Sequence, residues 1–300
     1  MIDNAVMILN GKGGVLKTTL SAQLAGLAAL SGWRVLAIDL DQQGNLARDL
    51  GYMDQSDGGR NLLDAVLGEE PLAPLRNVRP DLDVVPGGPH HVRLYREIAA
   101  GTGGGLVPTY DELDSVLGPV AAKYDLVVID APPGGEAIHL AALTAARWLV
   151  IPTQPDQGSI DGLASVFRAL NSVRKSTNPG ISILGIVLGP ISSQATRLRA
   201  ETMEHLQSIL GSQVEVFDRT IRAAQLVAVQ CRQNGLLVHE YEEEAAQETP
   251  WYKLSKEERK SRRNFSGAAS GLAEDYQVLV QTILERITAI FAAEELDDDA

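Results

Sequence analysis

The sequence predicts an α/β fold, a mostly parallel central sheet with helices on both faces. Three observations carry that expectation. Short apolar runs bounded by turn residues alternate with stretches of helical periodicity. The segments that carry chemistry all fall where an apolar run ends, which is where ligands bind in such sheets. The length of 300 residues at 45% hydrophobic suffices for one large core, and no Pro/Ser-rich linker divides the chain, so a single domain over 1–300 is expected.

Buried strands are expected at 6–9, 35–39, 82–85, 126–130, 148–152 and 183–188, each a short run dominated by Val, Ile and Leu. Helices are expected near 18–31, 61–67, 109–122, 138–146, 158–174 and 195–210; in the first, Leu20, Leu24, Leu27 and Ala28 form the apolar stripe. Leu272, Tyr276, Leu279, Val280, Ile283, Leu284, Ile287, Ile290 and Phe291 recur at three–four spacing and predict a helix over 270–293 that packs on the sheet. Glu274, Asp275 and Glu285 are assigned to its polar side, and an acidic tail is expected over 294–300. Gly101-Thr102-Gly103-Gly104-Gly105 reads as a flexible connection. There is no internal repeat.

Composition narrows the function classes. A net charge of −13 argues against a uniformly basic nucleic-acid binder, but it conceals a local switch: residues 240–263 pass from acidic to basic. Cys231 is the only cysteine, which excludes an internal disulfide and any cysteine-held zinc or iron–sulfur cluster; it reads as a small buried apolar residue. No secretory segment precedes Val6, and no apolar run approaches the ~20 residues that span a bilayer. The expected location is cytoplasmic, with no membrane partner.

The most specific segment is Asn10-Gly11-Lys12-Gly13-Gly14-Val15-Leu16-Lys17-Thr18-Thr19-Leu20, between the run Val6–Leu9 and the first helical stripe. A loop in that strand–helix context turns successive backbone N–H groups inward around phosphate oxygens, aided by the positive end of the helix. Residues 11–19 (Gly11, Lys12, Gly13, Gly14, Val15, Leu16, Lys17, Thr18, Thr19) are therefore the expected nucleotide contacts. Lys17 would reach the terminal phosphates, and the Thr18 hydroxyl would bind Mg²⁺ directly. Asp39 and Asp130, each closing an apolar strand, would hold the same ion through water. Taken singly, either aspartate would read as a helix cap or turn; the loop upstream favours the metal role. Leu16 stands where the usual pattern has glycine. If the site needs a glycine-like backbone angle, the leucine adds ~1–3 kcal/mol of strain, expected to weaken nucleotide handling rather than abolish it.

Lys12–Thr19 resembles the deviant Walker A loop, K-G-G-x-G-K-T, of the ParA/MinD ATPases. Val35-Leu36-Ala37-Ile38-Asp39-Leu40-Asp41-Gln42-Gln43-Gly44-Asn45 is similar to that family's D-x-D-P-Q-G-N segment, with Gln42 in place of proline. Tyr124–Gly134 resembles its Walker B strand and Ala145–Pro155 the strand that follows, so the likeness covers roughly residues 5–160. It implies a P-loop NTPase fold of the deviant Walker A type, ATP and Mg²⁺ as ligands, and slow, partner-stimulated hydrolysis. It further implies that Lys12 contacts the nucleotide of a second copy in an ATP-dependent homodimer, and that Asp41 orients the attacking water, which makes Lys12, Lys17 and Asp41 the catalytic set.

Within the family the ParA DNA-partition ATPases fit best. MinD-type members end in a basic membrane helix, whereas this chain ends in carboxylates that anionic lipid repels. Nitrogenase-reductase-like members need a cysteine pair that is absent here. Val216–Arg222 and Gly235–Tyr241 resemble the family's late strand and loop. Arg222 approximately matches an arginine that contacts DNA, while the second arginine expected nearby is Gln225. Together with Lys253, Lys256, Arg259, Lys260, Arg262 and Arg263 it marks 211–263 as the expected DNA-contact region. The resemblance thus implies a plasmid or chromosome partition ATPase that binds DNA without sequence preference in its ATP state, associating with the nucleoid, and works with a ParB-like centromere-binding protein. Two alternatives stay open: a same-fold positioning ATPase acting on a protein complex, and a nucleotide-binding relative with weak turnover because of Leu16.

Overall fold

A strand in which every side chain is buried must be covered on both faces. Val35–Asp39 (β2) and Leu126–Asp130 (β5) are buried at every position, and Leu82–Val85 (β4) likewise. The computed structural model describes residues 1–101, 110–211, 214–247 and 267–298. With Ile2–Ile8 (β1), Leu75–Arg79 (β3), Ala146–Thr153 (β6) and Ser182–Leu188 (β7), these strands form one sheet in the order β3-β4-β2-β5-β1-β6-β7. Every neighbouring pair is parallel except β3 with β4.

The expected strands are all present, two of them extended by a few residues at their starts. β3 was not expected. Its Arg76, Asn77 and Arg79 give it no apolar alternation, and as an antiparallel edge strand it needs none, since solvent covers much of it. Past β7 the chain returns along the opposite edge, where Val216 bridges Ile186 and Arg222 bridges Ile191.

One face of the sheet is covered by Lys17–Leu30 (α1) together with Leu46–Asp49 (α2), Gln225–Asn234 (α9), Val238–Gln247 (α10) and Ala269–Asp298 (α11). The other carries Arg60–Val66 (α3), His91–Ala100 (α4), Glu112–Ala121 (α5), Glu136–Ala145 (α6), Gln157–Lys175 (α7) and Thr196–Leu210 (α8). Of these, α2, α4, α9 and α10 were not expected. α9 buries only Val227 and Cys231, too few positions to register as a periodic stripe. Cys231 is buried as expected, and burial pushes its thiol up to about 12.

The last helix packs its apolar stripe into the sheet-side core, with Leu279, Ile283 and Ile287 fully buried and Phe291 set edge-on to Trp148 at 5.2 Å. Two details correct the sequence reading. The helix continues to Asp298, so most of the expected acidic tail is helical, and Glu294 pairs with Arg147. Asp275, assigned to the polar side, is 2% exposed. Its carboxylate accepts the Arg222 amide at 3.0 Å and the Arg222 guanidinium at 2.6 and 2.9 Å, with Arg219 adding a bond at 3.2 Å. Gly271, one turn earlier, leaves the opening: a Cβ there would stand 1.8 Å from the guanidinium. Among the described residues, no helix is long and apolar enough to cross a membrane.

Removing a buried ion-pair partner strands the charge left behind. Asp275→Ala should therefore destabilise the fold by about 3 kcal/mol, the lower end of the range for buried pairs because Arg222 reaches water. Chemical denaturation of the variant checks this, and Asp275→Asn, which keeps one acceptor, should recover part of the loss.

Candidate nucleotide site

The phosphate loop is anchored before it turns. Asn10, fully buried, donates to the Pro152 carbonyl at 2.8 Å and accepts the Lys12 amide at 2.9 Å, tying the exit of β1 to the end of β6. Gly162 on α7 makes this possible, since a Cβ there would fall 2.9 Å from the Asn10 Oδ1. The chain then enters α1 with Gly14 at φ 77 and Leu16 at φ 65, ψ 7. Gln154 holds the turn from the far side by donating to the Gly14 carbonyl at 2.9 Å. No side chain caps the N-terminus of α1, which leaves its first amides and the positive end of its dipole turned to the loop.

Leu16 occupies the left-handed region, the glycine-like angle that the sequence pattern implies at this position. The side chain is half-buried and packs against the sheet-side core. With Thr19 it forms one end of a largely apolar cavity of about 320 Å³ that also touches Ile221, Leu236 and Tyr276.

Beneath the loop, Asp39 and Asp130 sit side by side, in register on adjacent parallel strands and fully buried. Burial raises the proton affinity of both carboxyls, and the charge of Asp130 raises that of Asp39 further. Asp130 is pushed up to about 7, against the pull of the Thr18 and Ser21 hydroxyls and Lys17. Asp39 accepts the amides of Asp41 and Leu46 at 2.8 and 3.1 Å; Asp130 accepts the Ser21 hydroxyl at 2.8 Å. The second Asp130 oxygen is buried with no hydrogen-bond partner. Two buried carboxylates with an unanswered oxygen, beside the Thr18 hydroxyl, are the donor set a hard divalent cation requires. The residues expected to hold Mg²⁺ fit it.

Both loop lysines are occupied within the chain. Lys17 is buried and donates to the Lys12 carbonyl at 2.7 Å; burial lowers its pKa, while Asp130 and Asp41 oppose that shift. Lys12 donates to Asp156 at 2.7 Å and to the Ser159 hydroxyl at 3.1 Å. Asp156 is the N-cap of α7 and also accepts the Ser159 amide at 3.0 Å. Asp41, 6% exposed, closes a tight turn by accepting the Gln43 amide at 2.9 Å. Thr19 donates to Asp49 at 3.1 Å, and Arg232 grips the same carboxylate at 2.6 and 3.1 Å.

The fold therefore gathers Lys12, Lys17, Thr18, Asp39, Asp41 and Asp130 around the loop. Asn10, Ser21, Gln154, Asp156 and Ser159 join them and were not named from the sequence. Of these only Asp156 left a legible signal, a capping residue before the helical stripe of α7. Arg222 is held by Asp275 and lines the same cavity as Leu16 and Thr19. The basic run Lys253, Lys256, Arg259, Lys260, Arg262 and Arg263 lies outside the described residues, as do 102–105 of the glycine-rich connection.

Residues 3–183 match a family model described as an AAA domain. Soj, a chromosome-partitioning ATPase of Thermus thermophilus, is 32% identical over 222 residues, covering 73% of this chain and 83% of Soj. PomZ, a cell division protein of Myxococcus xanthus, is 34% identical over 204 residues, covering 67% of this chain and 62% of PomZ. Among solved structures, an ATP complex of Cyanothece McdA superposes with a TM-score of 0.73 over 94% of this chain and 96% of McdA, at 21% identity. That last likeness speaks to the fold.

The left-handed angle at position 16 has a direct stability test. Leu16→Ala and Leu16→Gly both lose the packing beyond Cβ, and glycine, which also lacks the Cβ, loses the strain as well. The glycine variant should be the more stable of the two by about 1 kcal/mol in urea denaturation. Equal stability, or a more stable alanine variant, would show that the angle carries no strain.

Proposed function

The chain belongs to the ParA/MinD-type P-loop ATPases, and from that premise we propose that it is a ParA-like partition ATPase that dimerises on ATP. One observation carries the reading: two in-register buried carboxylates, Asp39 and Asp130, lie under a phosphate loop that bears two lysines. In this reading the loop amides and Lys17 take the phosphates, Lys17 leaving the Lys12 carbonyl to do so. Thr18, Asp39 and Asp130 would hold Mg²⁺, which when bound would supply positive charge to the phosphate oxygens during transfer to water. Asp41 orients the attacking water.

Lys12 has to leave Asp156 and Ser159 to serve a second copy. The contact it gives up is half-exposed, with the two side chains 36% and 42% accessible. Ion pairs of that kind contribute at most ~1 kcal/mol, so the phosphates of a partner's nucleotide outcompete it. The Lys12–Asp156 contact is then the resting position of a group that acts in trans.

For output, the favoured partner is duplex DNA bound without sequence preference, with hydrolysis stimulated by a ParB-like centromere-binding protein. Because Arg222 is committed to Asp275, the phosphate contacts fall mainly on Lys253–Arg263, and Arg222 contributes only if it leaves that socket. The same commitment favours a second reading, a positioning ATPase whose target is a protein complex.

Sedimentation with ATP tests the first part. Wild type should dimerise, and Lys12→Ala should still bind nucleotide but stay monomeric; an unchanged dimer in the variant would contradict the mechanism. DNA affinity across a salt series tests the second. Each phosphate contact contributes about −0.9 to the slope of log affinity against log salt, so Arg262→Ala with Arg263→Ala should flatten the slope by roughly 2. Absence of ATP-dependent DNA binding at low salt would favour the protein-complex reading.

A further inference from the structure

The backbone around Asp41 is held by a side chain from outside both nucleotide-loop motifs. Tyr95 lies on α4, the helix that follows β4, and its hydroxyl donates to the Leu40 carbonyl at 2.5 Å. That oxygen thus engages the residue immediately before Asp41. Leu40 is fixed at its other end as well, its amide donating to the Asp130 carbonyl at 3.0 Å. The Tyr95 ring lies on the side of Gly135 that a Cβ would occupy, 3.9 Å from where that atom would stand.

Other contacts at Asp41 come from its own neighbourhood. Its amide binds the Asp39 carboxylate, its side chain accepts the Gln43 amide, and its carbonyl accepts the Gly44 amide at 3.0 Å. These tie the turn to itself and to the end of β2. The Tyr95 hydroxyl adds an attachment from a helix whose Leu94 and Ile98 are fully buried. The hydroxyl is a dependable donor, since burial and then the charge of Asp41 raise its pKa well above the usual value for tyrosine.

We propose that Tyr95 is a positioning residue for ATP hydrolysis, holding the backbone next to Asp41 through the Leu40 carbonyl. The proposal rests on the reading that Asp41 orients the attacking water. Tyr95 acts through Asp41, so its loss should affect turnover and leave nucleotide binding alone.

Tyr95→Phe keeps the ring and removes only the hydroxyl. In the nucleotide-free protein, amide hydrogen exchange over residues 40–45 should speed up by roughly 3- to 10-fold, the equilibrium weight of one hydrogen bond. In ATP hydrolysis kcat should fall by a similar factor with KM unchanged, and in an Asp41→Ala background the substitution should cause no further loss. A purely structural role would instead move the thermal midpoint and spread exchange through α4. Unchanged exchange and kcat, or a raised KM at constant kcat, would overturn the assignment of Tyr95. Faster exchange in the variant beside a wild type that hydrolyses no ATP would overturn the hydrolysis reading, and the catalytic proposal with it, while leaving the Tyr95–Leu40 bond established.

Discussion

Two carboxylates buried side by side are the constraint around which this molecule is arranged. Asp39 and Asp130 are placed together by the register of β2 against β5. Neither reaches water, and each makes the other's ionisation harder. A fold keeps such an arrangement when a cation resolves it, because an unpaired buried charge is otherwise among the most costly features a protein can hold. The surrounding groups only partly offset the cost. Two backbone amides serve Asp39, Ser21 serves one oxygen of Asp130, and the other oxygen stays unanswered.

The phosphate loop completes the arrangement from above. Its donors are not idle: Lys17 rests on a loop carbonyl and Lys12 on the cap of α7. The Lys12 contact ties the loop to α7, and the Thr19–Asp49–Arg232 network ties the start of α1 to α9.

What could be read in the sequence was what is local. The central strands announce themselves as apolar runs, and the loop as a contiguous string between a strand and a helix. Contacts made at long range could not be read. Lys12 and Asp156 are separated by 144 positions, and Arg222 and Asp275 by 53. Asp275 illustrates the failure well: a carboxylate on an amphipathic helix reads as solvated, and only the glycine one turn earlier hints at an incoming side chain. β3 and α9 were missed for a related reason, since an edge strand and a helix with two buried residues carry little periodic signal. Leu16 was visible as a departure, but that it takes a left-handed angle is a property of the folded loop.

That burial raises the proton affinity of Asp39 and Asp130 is tested most directly by calorimetric titration of Mg·ATP near pH 7 in buffers of different ionisation enthalpy. The folded proton affinity of these groups is raised above its unfolded value. A divalent cation favours their charged forms, so binding must release protons. The account predicts net proton release in wild type that is largely lost in Asp130→Asn. Binding with no proton release, or release unchanged in that variant, would contradict it.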